Sequence, residues 1–306
     1  MIWAGKTIAV TGATGFIGRY LVDKLATLDC NAVAITRAAR DMGPDVQVAV
    51  TDYSPGSLAS VLNGVDAVIH LGGRRMTRED EPNGLDPFLG PNVALTGNLV
   101  DVAIEQGVKR FLLASTIAVY SPADPMPYRE DIQTHPANAY ALSKKFAENY
   151  IALKTRGSGM ETGVFRLAAI YGFGEKGTPA LMKFVELARA KKTVQLTGNP
   201  NHCIDQLYVR DAVSAFVAAL EAPSVEGVYN IGCGEALSVE HIAETVNRVF
   251  GNADNLDRNG ATSVPAPATY LNIARAREEL GWRPSHSLEQ GLEDFRNLAR
   301  AALHQK

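Results

Sequence analysis

Short apolar runs alternate with longer stretches of helical periodicity along the first half of the chain. The run at residues 67–71 is almost entirely apolar, which is typical of a strand covered on both faces. The pattern predicts strands at residues 7–10, 32–36, 46–50, 67–71, 111–115 and 163–166. Between them it predicts helices at residues 16–28, 57–62, 92–106 and 140–153. This alternation indicates an α/β fold built on a parallel sheet.

The second half of the chain shows a different pattern of loops and helices. Loops rich in Gly, Pro and Asn separate helices predicted at residues 179–191, 209–221, 238–250 and 288–303. We therefore expect a doubly wound, Rossmann-type parallel sheet in residues 1–166 and a smaller C-terminal α/β lobe in residues 167–306, with the chain crossing between the two. Ligands of open α/β folds lie at the carboxyl edge of the sheet, so this lobe is expected to hold the substrate.

Composition and charge narrow the functional classes. With 306 residues and 46% hydrophobic content, the chain can bury one large core or two intertwined domains. Its 30 basic and 33 acidic residues leave a net charge of -3, which gives no reason to expect nucleic acid or an anionic membrane as partner. No run approaches the roughly 20 apolar residues of a membrane span. The chain enters a strand pattern at once, so no leader is expected either.

The cysteines and histidines do not form ligand patterns. Cys30, Cys203 and Cys233 are widely separated, which suits a reducing compartment, and we expect a cytoplasmic location. No usable metal spacing occurs among the histidines, so no metal is expected; those considered are His70, His135, His202 and His241.

A glycine-rich turn joins the first predicted strand to the first predicted helix. Residues 11–18 read Thr-Gly-Ala-Thr-Gly-Phe-Ile-Gly. Glycines allow the backbone to turn tightly and approach a pyrophosphate, while the helix amino end offers free N–H groups. The alternative is a tight β–α connection that binds no ligand, but the strand before the turn and the helix after it favour a dinucleotide site. Its candidate residues are Gly12, Thr14, Gly15, Phe16, Ile17 and Gly18.

The end of the second strand bears on the choice of dinucleotide. Arg37 and Arg40 stand where an acidic residue would bind a ribose 2′-hydroxyl, and an arginine there can bind a 2′-phosphate. We therefore expect NADP rather than NAD, unless both arginines are simply solvated. Asp52, after the third strand, could accept from the adenine amino group or could cap the next helix. Its neighbour Tyr53 is a candidate for the same cofactor site.

A tyrosine and a lysine four residues apart provide candidate acid/base chemistry. Tyr140 and Lys144 lie on one face of a predicted helix. A nearby cation favours the phenolate, so Tyr140 could exchange a proton with a substrate oxygen during hydride transfer. Thr116, after the fifth strand, would hold that oxygen. Taken alone, a Tyr-x-x-x-Lys pattern is common on exposed helix faces.

Motifs spread over nearly the whole chain make it resemble the extended short-chain dehydrogenase/reductases, the NAD-dependent epimerase/dehydratase family. The order and spacing of these motifs are specific, although each one is modest. They are the 11–18 turn, His70-Leu71-Gly72-Gly73, Asn92-Val93 with Gly97-Asn98-Leu99, Ala114-Ser115-Thr116 with Val119-Tyr120, Tyr140 to Lys144, Arg166 with Ile170-Tyr171-Gly172, Tyr208-Val209-Arg210-Asp211, Tyr229-Asn230-Ile231-Gly232 and Leu280-Gly281-Trp282-Arg283-Pro284.

The resemblance implies roles for several residues. It implies a catalytic triad of Thr116, Tyr140 and Lys144, with Ser115 beside the substrate. It also implies a homodimer that pairs through the helices predicted at residues 92–106 and 140–153. Further cofactor contacts are expected from Leu71, Gly72, Gly73 and Asn92.

The chain departs from the family pattern where many relatives hold a nucleotide diphosphate. Ala169 stands in place of an asparagine and Ile204 in place of an arginine, and no arginine occurs between Arg258 and Arg275. Buried phosphates without such partners would be poorly stabilised. These departures weaken the case for a nucleotide-sugar substrate.

A basic loop after the fourth predicted strand could compensate for them. Arg74, Arg75 and Arg78 could bind a substrate phosphate or carboxylate from the other side of the site. The alternative is that they pair with the acidic residues at positions 79–81 in a solvated loop, and this interpretation is favoured.

The sequence therefore predicts NAD(P)-dependent hydride transfer at a secondary alcohol or ketone of a carbohydrate-like small molecule. A nucleotide-sugar epimerase or 4-ketoreductase leads over a dehydrogenase or reductase of a non-nucleotide sugar, sugar acid or small ketone. Dehydration is not expected, because Ile117 and Ala118 replace the acidic pair of sugar dehydratases. A non-catalytic nucleotide sensor is the rival from another class, but a sensor would not need the intact triad.

Overall fold

A computed structural model describes residues 3–77, 79–176, 180–262 and 268–304. Its strands are β1 (Thr7–Thr11), β2 (Asn31–Thr36), β3 (Val46–Val50), β4 (Ala67–His70), β5 (Arg110–Thr116), β6 (Glu161–Leu167), β7 (Ala169–Tyr171), β8 (Val194–Gln195), β9 (Cys203–Ile204), β10 (Gln206–Tyr208), β11 (Glu226–Ile231), β12 (Leu237–Ser238) and β13 (Leu256–Asp257). Its helices are α1 (Phe16–Ala26), α2 (Pro55–Leu62), α3 (Asp86–Phe88), α4 (Leu95–Glu105), α5 (Ala139–Lys154), α6 (Ala180–Arg189), α7 (Val209–Glu221), α8 (Val239–Val249), α9 (Ala274–Glu279) and α10 (Leu288–His304).

Seven parallel strands form the central sheet in the order β11-β6-β5-β4-β1-β2-β3. Helices cover both faces, so the inner strands are buried throughout, as in β4. The order reverses at β1, which lies between β2 and β4, and a crevice opens there at the carboxyl edge. The predicted doubly wound α/β fold is thus confirmed.

The strand β11 was not predicted from the sequence. Its residues read Glu-Gly-Val-Tyr-Asn-Ile, and the polar positions and the glycine interrupt the apolar pattern. It is a strand because its backbone pairs with β6, from Thr162 to Leu167. The chain therefore returns to the sheet from the second half of the sequence.

The predicted helices agree with the observed ones except near their ends. The helix predicted at residues 92–106 has a π-helical start, Leu89–Ala94, that leads into α4. The helix predicted at residues 179–191 is α6, and position 179 lies outside the described residues. A short α9 had no predicted counterpart.

The remaining elements form a smaller layered region beside the sheet. The helices α6, α8 and α10 pack around Phe184, Val246 and Leu292, while α7 packs against α1 on the sheet side. Short two-stranded pairings join β7 with β10, β9 with β12 and β8 with β13. No helix in the described ranges combines the length and apolarity needed to cross a bilayer. The boundary at residue 166 stays a prediction.

Candidate active site

A cleft of about 1030 Å³ lies at the carboxyl edge of the sheet. The segments after β1, β4, β5 and β6 line one side, and residues 173–176 line the other. Neighbouring parallel strands bring these segments together although they are far apart in sequence. The cleft thus lies where open α/β folds bind ligands.

The glycine turn after β1 is shaped by two close backbone approaches. Gly12 has φ +69°, and a Cβ there would lie 2.7 Å from the Gly72 nitrogen. A Cβ on Gly18 would overlap the Gly12 carbonyl oxygen. Both glycines are therefore required by packing as well as by the backbone angle.

The amino end of α1 opens into the cleft. Gly15 caps the helix without a side-chain hydrogen bond, and the first turn carries no acidic residue. Thr14, Phe16 and Ile17 line the cleft beside it. Free N–H groups and the positive end of the helix dipole suit the pyrophosphate of a dinucleotide.

Asn92 holds the loop that follows β4. Its Oδ1 accepts from the Arg74 backbone nitrogen at 2.7 Å, and its Nδ2 donates to the Arg74 carbonyl oxygen at 3.0 Å. Nδ2 also donates to Ser143 Oγ at 2.9 Å. Gly73 must lack a side chain because a Cβ would lie 2.8 Å from Asn92 Oδ1. Asn92, in the π-helical turn, thus sets the path of the Leu71–Arg74 backbone along the cleft.

A buried histidine supports the same loop from below. His70 contacts Thr11 Oγ1 through Nδ1 at 2.5 Å and Thr96 Oγ1 through Nε2 at 2.9 Å. The Thr96 hydroxyl donates to the Asn92 carbonyl oxygen, so it accepts from a proton on Nε2. Burial, and then the Lys144 charge, lower the pKa of His70 to about 3. His70 is therefore a neutral structural residue rather than an acid/base.

The three residues of the expected triad all line the cleft. Thr116 ends β5, and Tyr140 and Lys144 follow each other on the inner face of α5. The Thr116 hydroxyl accepts from the Ala118 nitrogen at 3.2 Å and lies within hydrogen-bonding reach of the Tyr140 phenol. The Tyr140 ring also packs on Phe88, with ring centroids 5.9 Å apart.

Burial dominates the protonation of this group. It raises the pKa of Tyr140 above its usual 10.0, while the Thr116 hydrogen bond and the Arg75 charge oppose the rise. Burial also lowers the pKa of Lys144 to about 8, against the attraction of Glu148. Without a ligand the tyrosine is thus a phenol, although the sequence had suggested that Lys144 would favour the phenolate. The phenol retains its proton, and Thr116 and Arg75 are the groups that favour its release.

Ser115 lines the cleft, and its hydroxyl is bound to another side chain. Its Oγ donates to Glu148 Oε1 at 2.5 Å, and Glu148 forms a buried ion pair with Arg166 at 2.8 Å. Glu148 was missed, although it lies on the same helix face as Tyr140 and Lys144, at the next interval of four residues. This network links β5, α5 and β6 beside the cleft.

Arg74 and Arg75 line the cleft but have acidic partners. Arg74 pairs with Asp80 in its own loop, as expected if the basic loop pairs with its acidic neighbours. Arg75 makes two hydrogen bonds, of 3.1 and 2.7 Å, to the fully buried Glu175 carboxylate on the far side of the cleft. The two residues are 100 positions apart in the sequence, so no local pattern predicted this ion pair. Arg78 lies outside the described residues.

The residues expected at the adenosine end lie beyond the main cleft. Arg37 lies over the Tyr53 ring at 5.7 Å, and both Arg37 and Arg40 are exposed. Tyr53 has φ 64°, an uncommon backbone angle for a residue with a side chain. Asp52 Oδ1 accepts from the Ser54 nitrogen and hydroxyl, and Ser54 caps α2. Asp52 therefore orients the cap instead of providing it.

The family comparison agrees with this arrangement. The sequence profile of the NAD dependent epimerase/dehydratase family matches residues 8–232, which include the glycine turn, the Thr116–Tyr140–Lys144 group and β11. The chain belongs to this family. The predicted resemblance to the extended short-chain dehydrogenase/reductases is thereby confirmed, and so is the interpretation as an NAD-dependent hydride-transfer enzyme.

Individual members of the epimerase/dehydratase family resemble the chain over most of its length. A crystal structure of UDP-N-acetylglucosamine 4-epimerase from Bacillus cereus is 31% identical, with a TM-score of 0.87 and 97% of each chain covered. A structure of MoeE5 in complex with UDP-glucuronic acid and NAD is 26% identical, with a TM-score of 0.84, covering 97% of this chain and 99% of that one. UDP-glucuronate 4-epimerase from Thermodesulfobacterium geofontis (strain OPF15) is 26% identical over 83% of this chain and 78% of its own length.

The described residues of the protein include no candidate metal site. No group of three His, Cys, Asp or Glu side chains in those ranges is placed to hold an ion.

Proposed function

We propose that the protein transfers a hydride at a secondary alcohol or ketone of a carbohydrate-like substrate, with Tyr140 as acid/base. The observation that carries this proposal is the grouping of the Tyr140 phenol, the Thr116 hydroxyl and the buried Lys144 in one cleft. The open amino end of α1 lies at the same cleft. The cleft therefore contains groups for proton exchange and groups for phosphate binding.

The residues present fit a nicotinamide dinucleotide. The tight Gly12–Gly72 approach and the uncapped start of α1 leave backbone N–H groups for its phosphates. Leu71, Gly72, Gly73 and Lys144 would border the nicotinamide half. When bound, the dinucleotide supplies the acceptor or donor of the hydride.

The side chains of the protein account for the proton. In the reductive direction Tyr140 donates its phenolic proton to the carbonyl oxygen of the substrate. In the oxidative direction it takes the hydroxyl proton, and the Thr116 hydrogen bond and the Arg75 charge favour that step. Lys144, which lines the same cleft, would add positive charge beside a bound dinucleotide while it stays protonated. Thr116 also positions the substrate oxygen.

Replacing Tyr140 by Phe tests the acid/base role. We expect turnover to fall by at least 10²-fold, the usual contribution of a general acid or base, while dinucleotide affinity is retained. Turnover would be measured on nucleotide-sugars and free sugars with both dinucleotides, and affinity by calorimetry. Tyr150→Phe on the same helix is the control, because its hydroxyl donates to Asp101 and Tyr150 is not among the residues that line the cleft. Equal turnover in the Tyr140 variant and the wild type would exclude the role.

A nucleotide-sugar is the leading substrate class. The structural and sequence relatives act on UDP-sugars as 4-epimerases or bind them together with NAD. An epimerase or 4-ketoreductase reaction needs the same proton and hydride steps. Mass spectrometry of small molecules carried through purification separates these reactions, because an epimerase retains its cofactor; bound NAD supports an epimerase and bound NADP a reductase.

A non-nucleotide sugar, sugar acid or small ketone is the second candidate. It is favoured by Ala169 and Ile204, which lie where the family pattern has diphosphate-binding amide and cationic side chains. Arg74 and Arg75 could compensate only by leaving their carboxylate partners. Turnover of free sugars with no response to nucleotide-sugars would establish this candidate.

The finer properties of the enzyme are also proposals. We propose NADP as the preferred cofactor, because the exposed Arg37 above the Tyr53 ring could bind a 2′-phosphate, whereas the MoeE5 structure is a complex with NAD. Three free cysteines support a cytoplasmic location.

Exposed Leu142 and Phe146 on α5 support a homodimer formed through this helix.

A further inference from the structure

A small side chamber of about 160 Å³ adjoins the catalytic cleft. Its walls are formed chiefly by Ile117, Ala118, Tyr120, Tyr128, Ala169 and Ile204. Ile117 and Ala169 also line the main cleft, so the two spaces meet at these residues. Ile117 directly follows Thr116, which places the chamber next to the proposed reaction centre.

The two tyrosines present ring surfaces to the chamber, because their hydroxyl groups are already bound elsewhere. The rings of Tyr120 and Tyr128 stack with centroids 4.7 Å apart. The Tyr120 hydroxyl donates to Asn230 Oδ1 and accepts from Arg166 Nη1, each at 2.8 Å. The Tyr128 hydroxyl donates to the Ser121 carbonyl oxygen at 3.0 Å. Neither tyrosine hydroxyl is therefore available to bind a phosphate.

The charge of the chamber also disfavours an anion. None of its described lining residues is basic, and positions 263–267, outside the described ranges, read Ser-Val-Pro-Ala-Pro. Asp205 also lines the chamber, and its carboxylate accepts hydrogen bonds from the backbone nitrogens of Cys233 at 2.7 Å and Leu271 at 3.1 Å. A diphosphate here would find no basic side chain among the described lining residues.

We infer that the side chamber binds a compact, uncharged apolar substituent of the substrate while the reacting carbon lies at Tyr140. Apolar cavities of about 150 Å³ bind benzene-sized ligands, so the chamber has room for a short acyl, alkyl or aryl group. The inference deepens the proposed function, since it concerns the same cleft. It applies to either substrate candidate and requires any diphosphate to lie elsewhere in the cleft.

Methyl NMR tests occupancy of the chamber without relying on turnover. The dinucleotide-loaded protein, labelled at isoleucine δ1 methyls, is titrated separately with benzyl alcohol as the apolar probe and with UDP as the anionic probe. Benzyl alcohol should shift the Ile117 and Ile204 signals, and UDP should leave Ile204 unchanged. No response to benzyl alcohol, or a UDP-induced shift at Ile204, overturns the inference.

Filling variants locate the response. Ile204→Trp should weaken the benzyl alcohol response of Ile117 at least tenfold, because the indole occupies the chamber. Ala118→Leu fills it from another wall and serves if the tryptophan variant does not fold. Val50→Trp, at a position 49% exposed on β3, is the control and should respond like the wild type. A response that survives both filling variants places the probe elsewhere and refutes the chamber.

The outcomes keep the two proposals apart. A protein whose turnover depends on Tyr140 but whose Ile117 and Ile204 methyls ignore benzyl alcohol keeps the proposed function and loses the chamber. The opposite result keeps the chamber as an apolar site and removes the acid/base role.

Discussion

The buried ammonium of Lys144 shows how a single functional residue lowers stability. Its pKa falls from 10.5 to about 8 because burial disfavours the charged form. The unfolded chain therefore binds more protons than the folded chain between these two values, and stability rises with pH across that window. Below about pH 8 the full cost is present in the folded state.

Lys144→Met should consequently stabilise the fold near neutral pH. Since one pKa unit corresponds to about 1.4 kcal/mol, the free energy of unfolding should rise by up to about 3 kcal/mol. The gain should shrink between about pH 8 and 10.5 and vanish above. Urea unfolding at several pH values measures it, with Lys183→Met on the surface of α6 as control. A gain independent of pH would contradict this origin.

Arg37 carries the proposed cofactor preference. Arg37→Glu replaces the cation over Tyr53 by a group that repels a 2′-phosphate. We expect KM for NADP to rise about tenfold or more, with KM for NAD changing much less. Steady-state kinetics with both dinucleotides measure the change, and Lys24→Glu, exposed in the last turn of α1, reports the general effect of the charge. Equal changes for the two dinucleotides would show that Arg37 does not contact the phosphate.

The first β–α unit depends on close backbone packing at the element scale. Gly18 lies in the first turn of α1, and a Cβ there would overlap backbone of the preceding turn. A rigid backbone neighbour cannot move aside as a flexible side chain could.

Gly18→Ala should therefore destabilise the fold by about 1–3 kcal/mol and weaken dinucleotide binding. Gly56→Ala is a matched control in the first turn of α2, where a Cβ has open space and alanine favours the helix. Thermal unfolding and dinucleotide titration distinguish the two variants. If both behave alike, the turn is more adaptable than its packing indicates.

Exposed apolar residues on α5 bear on the whole molecule. Leu142 and Phe146 are 51% and 52% exposed and lie four residues apart on one face of the helix. The same helix carries Tyr140 and Lys144 on its other, buried side. Pairing through α5 would cover the apolar face and brace the catalytic helix.

Phe146→Glu should accordingly convert a dimer into a monomer. Light scattering coupled to size exclusion measures the mass of both proteins. Leu303→Glu, at an exposed position on α10, is the control and should not change it. A wild-type monomer, or a variant that stays dimeric, would reject α5 as the interface.

The sequence alone determined the features that local rules govern. Strand and helix periods are local, so the sheet elements β1 to β6 were located. The 11–18 turn and the Tyr140–Lys144 spacing are also local, because glycines fit tight turns and residues four apart share a helix face. The family pattern then ordered these pieces along the chain.

Only the tertiary structure decided the features that join distant segments. It made a strand of β11 by pairing it with β6, joined Arg75 to Glu175 across the cleft, and grouped Ile117, Ala169 and Ile204 around an apolar chamber. It also set the burial that keeps Tyr140 a phenol. The physical reason is that pairing, burial and cavities depend on atoms supplied by other segments, and no local pattern records which segments will meet.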